Sequence, residues 1–586
     1  MSPKATDILN QKLNRISLFN KANEILFEAF GINHFFSNQE EYERFKSAIT
    51  NPDDIVSDTE RLDYGDFQTN IEFAKTVTSF LKEKKGLNPQ IVIEPTCGKG
   101  NFIIAALSTF KQIEKIIGIE IFMPYIWETK FSIIDFYISH PQEKKPIIEL
   151  HHFNVFNFKF GRISDKLNKE ILILGNPPWV TNSKLSSLES TNLPKKSNFK
   201  KHNGLDAITG KGNFDIGEYI TLMMFDSFQN SAGHLALLVK NTVIKNILVD
   251  QYRIKYKISD IEKLRIDSKK IFNVNVEASL LICKLNSKPE YICNEYNFKD
   301  QEKLLREFGW VKNKFVSDIN LYHQYQDIDG VCKFEWRQGI KHDLSEIMEL
   351  DKINRLYVNK KDEEVKLEEN MIYGILKSSD LKQIVINKPR KYTFVTQKKV
   401  GMDTSYIEQE YQKTFKYLES HKEKFEKRKS SIYKNMPNFS ISGVGDYSFK
   451  PYKVAISGLY KTFSFSLILP FNEKPLLLDD TCYFLGFDEI EYAVYTFLLL
   501  NSDKTNQFLR AITFPDAKRT FTKEILMRID LFKLTKSISL SELQNNLENL
   551  NNNYNISISL GKWGNYLRKL NPPISFEQMD IFTLAT

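Results

Sequence analysis

Residues 91–102 read IVIEPTCGKGNF. An apolar run passes through Pro95 into a turn holding Gly98 and Gly100, and helical spacing begins at Phe102. That order of strand, glycine turn and helix is the start of a βαβ unit. The chain repeats it. IIGIE (116–120) is a second strand, with a helix over 125–136; IIELHHF (147–153) is a weaker third and ILILG (171–175) a fourth. A helix over 216–228 leads to GHLALLVK (233–240), and ASLLICKL (278–285) closes the region. Strands alternating with helices predict an α/β fold with a doubly wound parallel sheet. Their continuous apolar character fits strands covered on both faces.

The chain has 586 residues, beyond what one core usually organises. After about 290 the βαβ rhythm stops and charge rises, which puts a domain boundary between 286 and 330. Residues 5–30 are expected to be helical, with Ile8, Leu9, Leu13, Ile16, Leu26 and Phe27 on an apolar stripe. The five cysteines, Cys97, Cys283, Cys293, Cys332 and Cys482, are odd in number and not at metal-ligand spacing. They predict no metal site and a reducing, cytoplasmic setting. The first residues lack an apolar signal core, and no run is long and apolar enough to suggest a membrane span. The net charge of +8 permits a polyanionic partner without requiring one.

The glycine turn lies where ligands bind in open α/β sheets, outside the carboxyl end of a strand. Glu120 ends the next strand, and an acid there suits a ribose diol, both of whose hydroxyls donate to one carboxylate. There is no GxGxxG; Glu94 precedes the turn and Cys97 lies inside it.

The fourth strand runs into Asn176, Pro177, Pro178 and Trp179. Two prolines hold the chain extended and supply carbonyls but no N–H. The Asn176 side chain and the Pro177 carbonyl are two acceptors suited to an exocyclic NH₂ group, and Trp179 is a flat surface for a planar ring. Taken alone, this elbow reads equally well as a tight turn with a core tryptophan. Following the cofactor-type turn, it reads as a substrate site.

These residues resemble the gamma-class N6-adenine DNA methyltransferases of restriction–modification systems. The resemblance implies a Rossmann-like class I methyltransferase domain over 61–290, a helical extension over 1–60, and a mixed α+β target-recognition region over 291–586. It implies S-adenosylmethionine as cofactor and double-stranded DNA as partner, with a separate cognate restriction endonuclease and no membrane. Gly65, Asp66, Phe67, Gln68 and Thr69 resemble motif X, with Thr69 the cofactor-contacting threonine; Asn70 stands where the family has proline. Glu94, Thr96, Cys97, Gly98 and Gly100 match motif I. Glu120 and Ile121 match motif II. Asn154 and Val155 fall in motif III, with Asn154 where the family has aspartate. Asn176, Pro177, Pro178 and Trp179 match motif IV and are the implied catalytic residues. GKGNFDIGEY (210–219) resembles motif V, with Asp215 its polar candidate beside the cofactor. Phe272, in motif VIII, is the aromatic expected against the flipped base.

In the second region, residues 411–434 carry eight Lys or Arg against three Glu, with Tyr411, Phe415, Leu418 and Phe425 at helical spacing. A helix with a basic outer side is expected there, suited to phosphate contact or simply to solvent. Over 443–463, Lys450 and Lys453 lie among aromatics and are expected at the DNA surface. The alternatives are an amino-methyltransferase acting on RNA, cytosine or a protein glutamine, and a methyltransferase with associated nuclease activity. A catalytically dead scaffold is disfavoured by the intact turn and elbow.

Overall fold

The computed structural model describes residues 2–49, 68–161, 169–181, 215–515 and 519–571. Gly65, Asp66 and Phe67 of the expected motif X, and 210–214 of motif V, lie outside the described residues. The chain divides into two compact units, Met1–Phe315 and Val316–Thr586. The division falls within the expected 286–330 interval; the first unit runs past 290 and includes the N-terminal helices, which the expected division at 60 had set apart.

The strands of the first unit are β1 (Ile32–Asn33), β2 (Ile91–Glu94), β3 (Lys115–Glu120), β4 (Ile147–His152), β5 (Ile171–Gly175), β6 (Gly233–Lys240), β7 (Ile258–Arg265), β8 (Ala278–Leu285), β9 (Ile292–Asn297), β10 (Asp300–Val311) and β11 (Lys314–Val316). They form one sheet in the order β1-β4-β3-β2-β5-β6-β8-β7-β9-β10-β11. From β1 to β6 every pairing is parallel. β2 and β5 are buried at every position, as strands covered on both faces should be.

The all-parallel expectation fails at β8, which pairs antiparallel with both β6 and β7. The link from β7 to β8 carries only a five-residue helix, Ser268–Phe272. A short connection joins antiparallel neighbours, whereas a parallel pair needs a longer crossover. β9 and β10 then extend the sheet, β9 parallel to β7 and β10 antiparallel to β9. That pairing draws the end of the first unit past 290.

The helices are α1 (Pro3–Leu13), α2 (Phe19–Phe30), α3 (Gln39–Ile49), α4 (Ile71–Glu83), α5 (Asn101–Thr109), α6 (Met123–Ser139), α7 (Ile216–Phe228), α8 (Asn241–Ile254) and α9, the link just given. The single helix expected over 5–30 is two, broken between Leu13 and Phe19. α2 ends at Gly31, whose φ of 75° is the left-handed cap glycine supplies without strain. Phe35, Phe36 and Phe45 meet Trp127 and Phe131 of α6 in one aromatic cluster. β1 adds itself beside β4, so the N-terminal segment covers a sheet edge.

The second unit is mixed α and β. Tyr452–Ser457 is the middle of a five-stranded sheet, antiparallel to Ser466–Ile468 and Cys482–Phe487. A six-stranded sheet contains Glu349–Ile353, Leu356–Asn359, Ile372–Leu376 and Lys391–Phe394. Helices include Ile490–Leu500, Asp503–Ile512, Leu540–Tyr554 and Trp563–Leu570. The basic helix expected over 411–434 is broken into Gln412–Ser420, Lys422–Glu426 and a 3-10 turn at Ser431–Tyr433, because His421 leaves helical dihedrals. Its apolar side is as expected, with Leu418 and Phe425 buried. Among the described residues no helix is long and apolar enough to cross a membrane.

Candidate active site

The strand order reverses between β2 and β5. From β2 the chain steps outward through β3 to β4, then returns to lay β5 on the other side of β2. The crevice outside the carboxyl ends of those two strands is where such sheets bind ligands. Glu94 ends β2 and Gly175 ends β5, and a Cβ on Gly175 would sit 3.2 Å from Glu94 Cγ. The two strand ends are in contact, and a cavity opens on them.

One wall of the cavity is the turn after β2, with Glu94, Thr96, Cys97 and Gly98. Gly98 and Gly100 take φ of 52° and 75°. A Cβ on Gly98 would lie 2.7 Å from the Gln68 side chain, and one on Gly100 2.5 Å from Thr129. Both dihedrals favour glycine, and at Gly100 the short Thr129 side chain leaves no room for a Cβ either. Gly100 caps α5 from behind this wall. Thr129 Oγ1 donates to the Gly98 carbonyl at 3.1 Å, and the Asn101 side chain donates to the Thr69 carbonyl at 2.7 Å.

The second wall follows β3. Glu120 accepts from the Gly98 N–H at 2.8 Å through one oxygen and from the Phe122 N–H at 2.9 Å through the other. The carboxylate is thus aimed by two backbone donors, and Ile121 lies beside it on the cavity. Asn154 and Val155, after β4, form the third wall. The Asn154 side chain accepts from the Phe156 N–H at 3.0 Å, capping its own turn.

The elbow after β5 closes the cavity with Asn176, Pro177, Pro178 and Trp179. The Asn176 side-chain NH₂ donates to Thr69 Oγ1 at 3.2 Å. Trp179 is only 5% exposed; its ring N–H donates to the Leu238 carbonyl at 3.2 Å, and Phe272 meets it edge-on at 4.9 Å. Phe272 supports the tryptophan and does not itself line the cavity.

Glu94 is buried, and neither its Oε2 nor Thr96 Oγ1 has a hydrogen-bond partner among the described residues. Burial pushes the Glu94 carboxyl well above the usual carboxylate range; the Glu120 charge adds to this and the Ile103 N–H opposes it. Burial likewise holds the Cys97 thiol protonated. Partnerless buried oxygens, and a carboxyl that regains its charge only beside a cation, suit a ligand that brings N–H or O–H donors and a positive charge. S-adenosylmethionine has both, and the residues present fit it. Glu120 and Ile121 would hold its nucleoside, and Glu94, Thr96 and Gly98 the remainder.

Two expected contacts are corrected. Asp215 does not line the cavity; it caps α7 by accepting from the Gly217 N–H at 3.0 Å and pairs with Lys240 at 2.6 Å. Lys453 is fully buried, its ammonium donating to the Lys450 carbonyl, so it presents nothing to a DNA surface. Lys450 is partly exposed but paired with Asp488. Gln68, named only within motif X, and Phe122, not singled out, also line the cavity. Each lies next to a residue that was, Thr69 and Ile121, and adjacency is the signal that would have found them.

No protein-family model matches the chain. A type II methyltransferase, M.NspV, from Nostoc sp. (strain ATCC 29411 / PCC 7524) is 41% identical over 485 residues, covering 82% of this chain and 98% of the relative. A solved structure of the type IIL restriction–modification enzyme MmeI in complex with DNA aligns with a TM-score of 0.50. It covers 88% of this chain and 75% of that one at 14% identity, a likeness of fold alone. With the sheet order, the cavity at the β2–β5 reversal and that sequence identity in hand, the chain belongs to the type II methyltransferases, S-adenosylmethionine-dependent enzymes of restriction–modification systems.

Proposed function

We propose that this enzyme methylates the N6 amine of an adenine flipped out of duplex DNA, as the protective activity of a restriction–modification system. The observation that carries the reading is the convergence of Asn176 and Pro177 with Glu94 and Glu120 on one cavity. S-adenosylmethionine supplies a methyl group made electrophilic by its sulfonium. The chain's own part is to hold the amine. Adenine N6 is a poor nucleophile because its lone pair is delocalised into the ring. Acceptors at Asn176 and Pro177 hold its two hydrogens out of the ring plane and return the lone pair to nitrogen. The nitrogen so held would take up the methyl group and lose its extra proton to solvent. Asn176 does not titrate; its work is positioning and electrostatic stabilisation. Trp179 is the aromatic wall against which the purine lies. Asparagine at the head of the elbow favours adenine over cytosine, whose enzymes usually open this motif with Ser or Asp.

A base inside a duplex is out of reach, so the DNA must be gripped while the base is extruded. The second unit is the proposed target-recognition region, with the basic segments over 412–434 contacting phosphates. The cognate nuclease is proposed to be a separate chain, since the relative that matches along 98% of its length is named a methyltransferase. The five buried free thiols support a cytoplasmic setting.

The test is incubation with labelled S-adenosylmethionine and mixed-sequence duplex DNA, followed by digestion to nucleosides. Label is expected in N6-methyladenine. Label in N4-methylcytosine, or only in RNA or protein glutamine, would overturn the reading.

A further inference from the structure

The elbow that carries Asn176 cannot fix itself. Pro177 and Pro178 have no N–H to donate, so its place depends on what holds the residues after it. Those residues are held against β6 at two points. The Trp179 ring N–H donates to the Leu238 carbonyl at 3.2 Å. Farther along, the Val180 carbonyl accepts from the Ile216 N–H at 2.9 Å, and Thr181 bridges Asp215 in antiparallel fashion. Asp215 is anchored in turn by Lys240, the last residue of β6, at 2.6 Å. Both partners are largely buried, with side chains 15% and 11% exposed. The start of α7 closes on the elbow from the same side, a Cβ on Gly217 falling 3.5 Å from the Pro178 carbonyl.

We propose that Lys240 is a positioning residue for methyl transfer: through Asp215 it clamps the 176–181 elbow to β6 and so sets where Asn176 stands. The clamp is rigid because a buried pair has no water to exchange with, and breaking one side leaves a buried charge unmatched. It touches neither the Glu120 wall nor the glycine turn, so it acts on the reacting amine and not on cofactor affinity. This inference rests on the proposed role of Asn176.

The test compares wild type with the double variant Lys240→Met/Asp215→Asn. It removes both charges together, and asparagine keeps the α7 cap. Expected is a fall in kcat on the order of tenfold or more, as for an Å-scale misplacement, with the Kd for S-adenosylmethionine by calorimetry within about twofold of wild type. Lys240→Arg, which preserves the pair, should recover most of the activity. The proposal is overturned if kcat of the double variant stays within twofold, or if cofactor affinity falls in step with kcat. Should the double variant fail to fold, Asp215→Glu takes its place. It keeps both charges but shifts the carboxylate, and unchanged kcat there also overturns the proposal. The ratio to wild type is taken on whichever amine wild type methylates, so failure of the clamp is distinct from failure of the adenine assignment.

Discussion

Asn176 donates through its side-chain NH₂ to Oγ1 of Thr69 at 3.2 Å, joining positions 107 residues apart. The contact ties the elbow after β5 to the segment entering α4, across the mouth of the cofactor cavity. It fixes the rotation of the amide, turning its nitrogen toward Thr69 and its oxygen the other way.

Thr69→Val removes that acceptor at nearly constant volume. One hydrogen bond is worth roughly 1 kcal/mol, so kcat should fall about fivefold. Thr69→Ser should stay close to wild type. Single-turnover rates at saturating cofactor measure both, and equal rates in wild type and the valine variant would show that the contact does not orient Asn176.

Glu120 is aimed by two backbone N–H groups and faces the cavity with its remaining lone pairs. Glu120→Gln keeps the shape and loses the charge. A charge-assisted hydrogen bond contributes about 1.5–3 kcal/mol, so the Kd for S-adenosylmethionine should rise roughly 10- to 100-fold. At saturating cofactor kcat should change far less. Calorimetry with the cofactor alone reads the first effect without any DNA.

Lys453 is buried, and burial lowers its ammonium from 10.5 to about 7. Between those values the unfolded chain holds a proton the folded chain has lost, so this group makes stability rise with pH through the window. Below about 7 the cost of burying the charge is fully present. Lys453→Met should therefore stabilise the protein at pH 6–7, by about 1–3 kcal/mol, and the gain should vanish by pH 10–11. Thermal unfolding across that range checks it. DNA affinity should be unchanged, because this lysine faces the interior.

Much of the site was readable from residue order. β2, β3 and β5 are uninterrupted apolar runs, and the residues that matter stand directly after them. What escaped depends on partners distant in the chain. β7, which carries Asp260, Glu262, Lys263 and Arg265, is not among the expected strands. In the fold Lys263 is buried 3.0 Å from Glu295 of β9, which Arg265 and Arg306 also contact. Charges matched across strands look unmatched in sequence, so β7 and β9 were missed, although the end of the first unit at Phe315 falls within the expected 286–330 interval. Lys453 misleads the other way. It sits among aromatics like a surface lysine, but its strand lies between Ser466–Ile468 and Cys482–Phe487 in the middle of a sheet. The reversed direction of β8 leaves no mark in an apolar run.

The most direct measurement is methyl transfer by Asn176→Ala alongside its cofactor binding. Methylated nucleosides would be quantified after incubation with duplex DNA, and the Kd for S-adenosylmethionine obtained by calorimetry. Loss of N6-methyladenine by at least a hundredfold, with Kd within about twofold of wild type, is the result the account predicts. Turnover retained within a few-fold of wild type would contradict it, because the amine would then be held by something other than this elbow.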